Sequence, residues 1–451
     1  MIALGSLTAC GLVLGIEDPQ PLPATPPDAA LEAEVDATAG GDAQARAVDP
    51  TQIFVSARTG NAESTCGSMA APCRTIGDAL ARYREANGAK TTVYVASGSY
   101  AESVVLADGV TIEGGWDVVF DAWVPSEGTR AVIAPPTDAR AVVADDLKVA
   151  ATVRLLTLRS KVAGPSESLY GVFAHGTDAS AKPMLRLDQI TIELGAGGDG
   201  DAGMPETDAG AAGTSGCAPD EDGGAGSPGT TGRGADAGEV TATGYTTANG
   251  DTGGTGGSGH TGRTGDPGML QNCTVCCSNG GFCGGSCSGA GCTYQQGSGY
   301  GVGGAPGCGG GGGRGGGGGG GGGGSIGVFA WGGDVVVIDT RIVAGAGGRG
   351  GEGGAGARGG DGGLGLEGTV GLCTYDEIKC STASTPLEGL PGDNGGPGGM
   401  GGTGGSGAGG PSCAIYTGPA TNVTVTASTL IHGLGGASTN GAPGIAGDVC
   451  P

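Results

Sequence analysis

The chain has 451 residues, of which 107 are glycine and only 4% aromatic, so the length suggests about three domains but the composition argues against one large compact core. Forty-five acidic residues against 21 basic ones give a net charge of −24, which argues against nucleic acid or an anionic membrane surface as partner, because both select clustered Lys and Arg. Cations or plain solubility fit that charge better.

The N-terminal stretch carries an address. LTAC (7–10) resembles a bacterial lipobox, the Leu-small-small-Cys site at which a signal peptide is cut and the cysteine lipidated, which makes Cys10 the expected lipidation site. The leader before Cys10 is short and has no Lys or Arg, so the start of translation is expected upstream. Residues 17–50 are acidic and rich in Pro and Ala, cannot bury a core, and read as an extended tether. No later stretch approaches the roughly 18 apolar residues of a membrane span, so membrane attachment rests on the lipid at Cys10.

From Gln52 the texture changes. A short strand and a Cys66/Cys73 pair precede a helix that Thr75 can cap, with Ile76, Leu80 and Tyr83 on one buried face. Three short apolar runs follow (93–95, 104–106, 110–112), parted by Gly, Ser and Asp turns. Strands this short suit a coil in which each turn stacks on the next. The phrases FVS, CGS, APCRTIGDAL and VYVASGSYAESVVLADGVTIEGGW resemble the start of the right-handed parallel β-helix of the pectin-lyase-like superfamily. That resemblance implies the fold and leaves the activity open, since the superfamily includes polysaccharide lyases, hydrolases and adhesins.

Repeats support the coil. YGVFAHG (170–176), IGVFAWG (326–332) and CAIYTGP (413–419) share one pattern, and each precedes a second strand pair. Aligning those pairs places Leu185 with Val335 and Val423, Leu187 with Val337 and Val425, and Ile192 with Ile342 and Leu430. The alternation predicts one face of each strand turned into a narrow core. ATVRLLTLRS (151–160) reads as an earlier rung.

A glycine tract follows each clear rung at the same corner. In 345–365 glycine recurs every third residue from Gly347, a spacing a flexible linker would not need. Gly-Gly-X fits an extended threefold helix of the polyproline type, whose backbone groups need partners in neighbouring chains or water. Plain disorder is the competing reading, and 309–324, with fifteen glycines and Arg314, is the segment expected to be most mobile. Collagen is rejected, because 24 prolines are too few. The GGAGGxGG texture resembles the PGRS repeats of mycobacterial surface proteins, which implies bundles of polyglycine II helices.

The fold class expected is therefore mainly β: a short right-handed parallel β-helix with an N-terminal capping helix, and glycine-rich insertions packed as polyglycine II helices. Its organisation reads as a partial lipoprotein signal (1–10), tether (11–50), β-helix start and first rungs (51–195), Gly/Cys-rich insertion (196–325), a rung (326–345), a second Gly-rich insertion (346–412), and a last rung with a Cys-closed C-terminus (413–451).

Setting Cys10 aside, fourteen of the fifteen cysteines remain: Cys66, Cys73, Cys217, Cys273, Cys276, Cys277, Cys283, Cys287, Cys292, Cys308, Cys373, Cys380, Cys413 and Cys450. In an exported glycine-rich chain an even set reads as disulfides of open connectivity. The C-x2-C at Cys273/Cys276 can ligate zinc, but it has no matching second pair. Asp199/Asp201 and 220–222 are weak calcium candidates, and no other cofactor is expected. The carboxylates Asp188, Glu193 and Asp339 do not recur at one aligned position, His175 and His432 read as ordinary turn or surface histidines, and Trp331 reads as a cap on the core edge.

The function expected is a non-catalytic cell-surface or outer-membrane lipoprotein, anchored through Cys10, with a structural, adhesive or matrix role toward polysaccharide or other envelope components. A carbohydrate-active β-helix enzyme is one alternative. A protein that binds an ordered lattice, such as ice or a crystalline polymer, is another.

Overall fold

A computed structural model describes residues 48–451 except 120–121, 127–129, 177–183, 220–222, 269–270, 278–292, 300, 372, 376–377 and 381–386. The fold is mainly β, and its frame is three parallel sheets to which each turn of the chain contributes one strand in order. The first sheet takes Ile53–Val55, Thr92–Ala96, Thr111–Val119, Ala151–Arg154, Met184–Asp188, Asp334–Ile338 and Asn422–Thr426, with Ala122–Pro125 antiparallel on Thr111–Val119. The second takes Gly98–Tyr100, Ala131–Ile133, Leu156–Arg159, Thr191–Glu193, Arg341–Val343 and Thr429–Ile431. The third takes Val104–Val105, Arg140–Asp145, Leu169–His175, Ser325–Trp331, Ser412–Thr417 and Ala446–Cys450.

The register follows the repeats. Leu185 pairs with Val335 and Val335 with Val423, Leu187 with Val337 and Val337 with Val425, and Ile192 with Ile342 and Ile342 with Leu430. Ala151–Arg154 adds Val153 to the same row as Leu187. Valine, isoleucine and leucine from all three sheets meet in one cluster, so each turn buries only a few side chains and the core is a narrow column.

The helix Ile76–Glu85 forms as its sequence predicts: Thr75 Oγ1 accepts from the Asp78 N–H, and Ile76, Leu80 and Tyr83 are buried. The carboxylate of Glu102 also accepts from the Ile76 and Gly77 N–H groups at 2.8 Å each. The helix packs against the first strands of the first and third sheets. A loop held by the Cys66–Cys73 disulfide pairs with the outer edge of Ile53–Val55, through Phe54 N–H to Gly67 O and Cys73 N–H to Phe54 O.

Outside the column, Tyr170, Phe173, Phe329 and Tyr416 form an aromatic ladder on the third sheet, with Phe173 and Phe329 stacked 4.7 Å apart. Arg140 lies 3.9 Å above the Phe173 ring, and Val240 and Tyr245 of the Glu239–Thr241/Gly244–Thr246 hairpin pack against the cluster.

Candidate functional site: the exposed rows of a glycine bundle

The glycine tracts leave the column at one corner, between the second and third sheets of successive turns. Each excursion starts after a second-sheet strand (Thr191–Glu193, Arg341–Val343, Thr429–Ile431) and returns at a third-sheet strand (Ser325–Trp331, Ser412–Thr417, Ala446–Cys450). Two buried serines form the joint. Ser325 Oγ donates to Gly195 O and accepts from Gly345 N–H, and Ser412 Oγ donates to Gly345 O and accepts from Gly433 N–H, at 2.7–2.9 Å. Each hydroxyl donates once and accepts once, which offsets the cost of burying it.

Beyond the joint the tracts run as extended segments joined by main-chain hydrogen bonds at every third residue. Tract 1 (197–214) donates from Gly197, Gly200, Gly203 and Glu206 to Ala346, Arg349, Glu352 and Ala355 of tract 5 (345–369). Tract 4 (301–324) bonds tract 1, tract 3 (250–268), tract 5 and tract 6 (389–410), while tract 6 also bonds tract 2 (224–235), tract 3 and tract 5. This adjacency is that of two staggered layers, tracts 1, 4 and 3 over tracts 5, 6 and 2. A short tract 7 (433–444), which sequence reading did not single out, bonds tracts 5, 6 and 2.

The period of three now has a geometric cause. In tract 5 a Cβ on Gly350, Gly353 or Gly356 would stand 1.9–2.2 Å from a carbonyl oxygen of tract 6, and one on Gly351 or Gly354 2.0–2.2 Å from one of tract 1. Two faces are closed to any side chain, and only the third can carry one. That third face presents Arg349, Glu352, Ala355, Arg358, Asp361 and Leu364, all exposed.

The expectation that 309–324 is the most mobile segment is overturned. It is the most enclosed tract, half-buried or buried at every residue but Arg314. A segment with neighbours on four flanks has no face left for a side chain, so its composition imitates that of a linker. Arg314 marks an exception with its own cause. Gly317 N–H bonds Met204 O and Gly311 N–H bonds Ala211 O, so tract 1 uses seven residues where tract 4 uses six, and its register against tract 5 shifts by one there too. At this level Ala357, whose N–H bonds Arg314 O, is the one buried tract-5 position on the tract-1 side that is not glycine. The extra residue in tract 1 falls at the level of both side chains.

The other exposed rows differ in chemistry. Tract 3 presents Thr252, Thr255, Ser258 and Thr264, with Thr261 half-buried in the same row. At about 3.1 Å per residue the hydroxyls recur at roughly 9 Å. Tract 6 presents Pro397, Met400 and Thr403.

The remaining predicted residues fall as follows. Disulfides join Cys66 to Cys73, Cys217 to Cys308 and Cys413 to Cys450; the second ties the chain just past tract 1 to tract 4 and the third ties the last two strands of the third sheet. Cys10, Cys283, Cys287, Cys292 and the acidic run 220–222 lie outside the described residues, as do the side chains of Cys273, Cys276, Cys277, Cys373 and Cys380. Asp199 Oδ1 accepts from Arg349 N–H, and among the described residues no three His, Cys, Asp or Glu side chains gather as a metal site. Asp188 pairs with Arg186 at 3.1 Å and Glu193 with Arg159 at 2.9 Å, while Asp339 accepts from Gln189 Nε2. Trp331 is half-buried, and a Cβ on Gly418 would meet its ring.

Each histidine has a carboxylate nearby in space that its spacing in sequence did not signal: His175 Nδ1 lies 2.9 Å from Asp145 Oδ1, and His432 Nε2 3.9 Å from Asp448. Asp145 and His175 sit in register one turn apart, thirty residues away in sequence, where spacing within a motif could not reveal them. A rung-by-rung alignment extended back to 140–145 would have. Among the described residues no helix is long and apolar enough to cross a membrane.

No family model matches the chain, and no curated protein or solved structure is detectably similar to it.

Proposed function

We propose that the chain is a non-catalytic, exported lipoprotein held at the outer membrane or cell surface by a lipid on Cys10, and that it displays the glycine bundle as a stiff binding face toward polysaccharide or other envelope components. In this reading the three sheets close into a right-handed parallel β-helix, the hand that crossover connections adopt almost always. The helix Ile76–Glu85 caps its first turn, and the tracts are polyglycine II helices. The observation that carries the proposal is the period-three hydrogen-bond ladder, because it turns low-complexity sequence into parallel rows of side chains at fixed spacing. Rigid display keeps the ordering cost of binding low.

The test is binding of the oxidised chain to insoluble polysaccharides and to isolated cell envelopes, compared with a variant carrying Thr252→Lys, Thr255→Lys and Ser258→Lys. Sedimentation of wild type that the triple variant loses supports the display role. Turnover of a soluble polysaccharide, unaffected by the triple variant, would instead support an enzyme on the coil.

The hydroxyl row of tract 3 favours one second reading, recognition of an ordered lattice by shape. Inhibition of ice recrystallisation, abolished by Thr255→Lys, is its expected sign. Activity equal in wild type and variant sinks it.

A further inference from the structure

The last turn of the three sheets is unlike the others. Val425 continues the row of Leu187 and Val337, both fully buried, yet is 39% exposed. Val449 continues the row of Val172, Val328 and Ile415, also fully buried, yet is 52% exposed. Leu430, in line with buried Leu158, Ile192 and Ile342, is half-exposed. The core column therefore opens at this end. Asn422–Thr426, Thr429–Ile431 and Ala446–Cys450 also end their sheets, each pairing with a neighbour on one side only among the described residues. At the opposite end a helix and a disulfide-held loop lie against the first strands.

Natural sheets protect such edges with charge, proline or bulges. They are sparse here: from 413 to 451 the chain carries one carboxylate, Asp448 in the Ala446–Cys450 edge, and no Lys or Arg, and the Asn422–Thr426 and Thr429–Ile431 edges hold neither charge nor proline. An ionic partner finds only Asp448, with His432 beside it, to recognise on this end. A matching surface must offer unpaired strand edges and an open apolar column without charge, and the same end of a second copy does so. The strand Asn422–Thr426 is self-complementary: paired antiparallel about Thr424, it sets Val423 of each copy opposite Val425 of the other and joins the two core columns.

We infer that the last turn is a self-association surface through which two copies of the chain stack end to end, the first-sheet edges pairing antiparallel. The stack does not depend on what the glycine bundles bind.

The test is sedimentation equilibrium of the full oxidised chain over a concentration series, with hydrogen exchange read at 422–426. The expected result is twice the chain mass, with those amides protected in step with dimer formation. Val425→Lys, placed at an already half-open site, raises the dissociation constant by about a hundredfold or more, because it inserts unpaired charge at the joint. Val162→Lys, on a 91% exposed residue outside the last turn, leaves association unchanged. If Val425→Lys lowers the melting temperature, Thr424→Lys on the outward face of the same strand replaces it. A monomer at all concentrations with exposed 422–426 amides overturns the inference. A monomer with protected amides does too, and assigns the edge to another segment of the same chain. A dimer that both edge variants leave intact places association elsewhere.

Discussion

Replacing Gly354 by alanine tests the packing of the bundle at one atom. The new methyl would lie 2.2 Å from Met204 O of tract 1, where ordinary contact begins at 3.4 Å, so the two tracts must part by more than an ångström. The nearest bonds across or beside that contact are Gly203 N–H to Glu352 O at 2.7 Å, Gly317 N–H to Met204 O at 2.9 Å and Gly354 N–H to Gly317 O at 2.8 Å. Losing two of them at about 1 kcal/mol each, with overpacking strain of about 1 kcal/mol, totals about 3 kcal/mol. By hydrogen exchange on the oxidised chain this is about a hundredfold loss of protection at tract 1 and tract 5 amides. Ala355→Ser, one residue on but on the exposed face, changes nothing measurable. Equal exchange in the two variants would refute side-by-side packing of the tracts.

Three further outcomes are expected. Ser325→Ala removes the buried hydroxyl's two bonds, to the Gly195 carbonyl and from the Gly345 N–H, at about 1 kcal/mol each, so the amides of 345–351 lose about 2 kcal/mol of protection while those of Thr92–Ala96 do not; uniform loss would mean that the joint is not where bundle and column are coupled. The Cys217–Cys308 bridge spans 91 residues, so the paired serine variant loses about 4–5 kcal/mol of loop-closure stabilisation, seen as a lower denaturant midpoint for tracts 1 and 4, and an unchanged midpoint would show that main-chain bonds alone hold them. Burial, then the neighbouring Tyr170, push the Tyr245 phenol up to about 12, against an opposing hydrogen bond at Gly238. Its neutral form favours the fold, so its contribution is intact below pH 10 and fades as pH rises toward 12; a phenolate appearing near pH 10 in the ultraviolet difference between wild type and Tyr245→Phe would mean that the hairpin does not cover the aromatic ladder.

The column was legible because its information is local and periodic. Alternating apolar residues in 184–193, 334–343 and 422–431 gave the register of two sheets residue by residue, and Thr75 with Ile76, Leu80 and Tyr83 gave the helix. The tracts were legible only in part. The third position of 345–365 reveals the one face that admits side chains, but the choice of neighbours is written in main-chain groups that every residue shares. Tract 4 is the limiting case, since full enclosure erases the side chains that would have signalled it. The Asp145–His175 contact was hidden for a different reason, being made by stacking of turns rather than by spacing within one.

The closed faces of the bundle also constrain how such a chain can change in length. Adding or removing three residues in a tract advances it by one repeat and returns every glycine to its closed face, whereas one or two residues would turn side chains into the neighbouring backbones. Tract 1 carries a one-residue excess, and at its level stand Arg314 and Ala357, side chains at positions that are glycine one repeat to either side. Length variation in the tracts of related chains should therefore come in triplets of residues, and wherever it does not, a larger residue should appear in the facing tract at the same level.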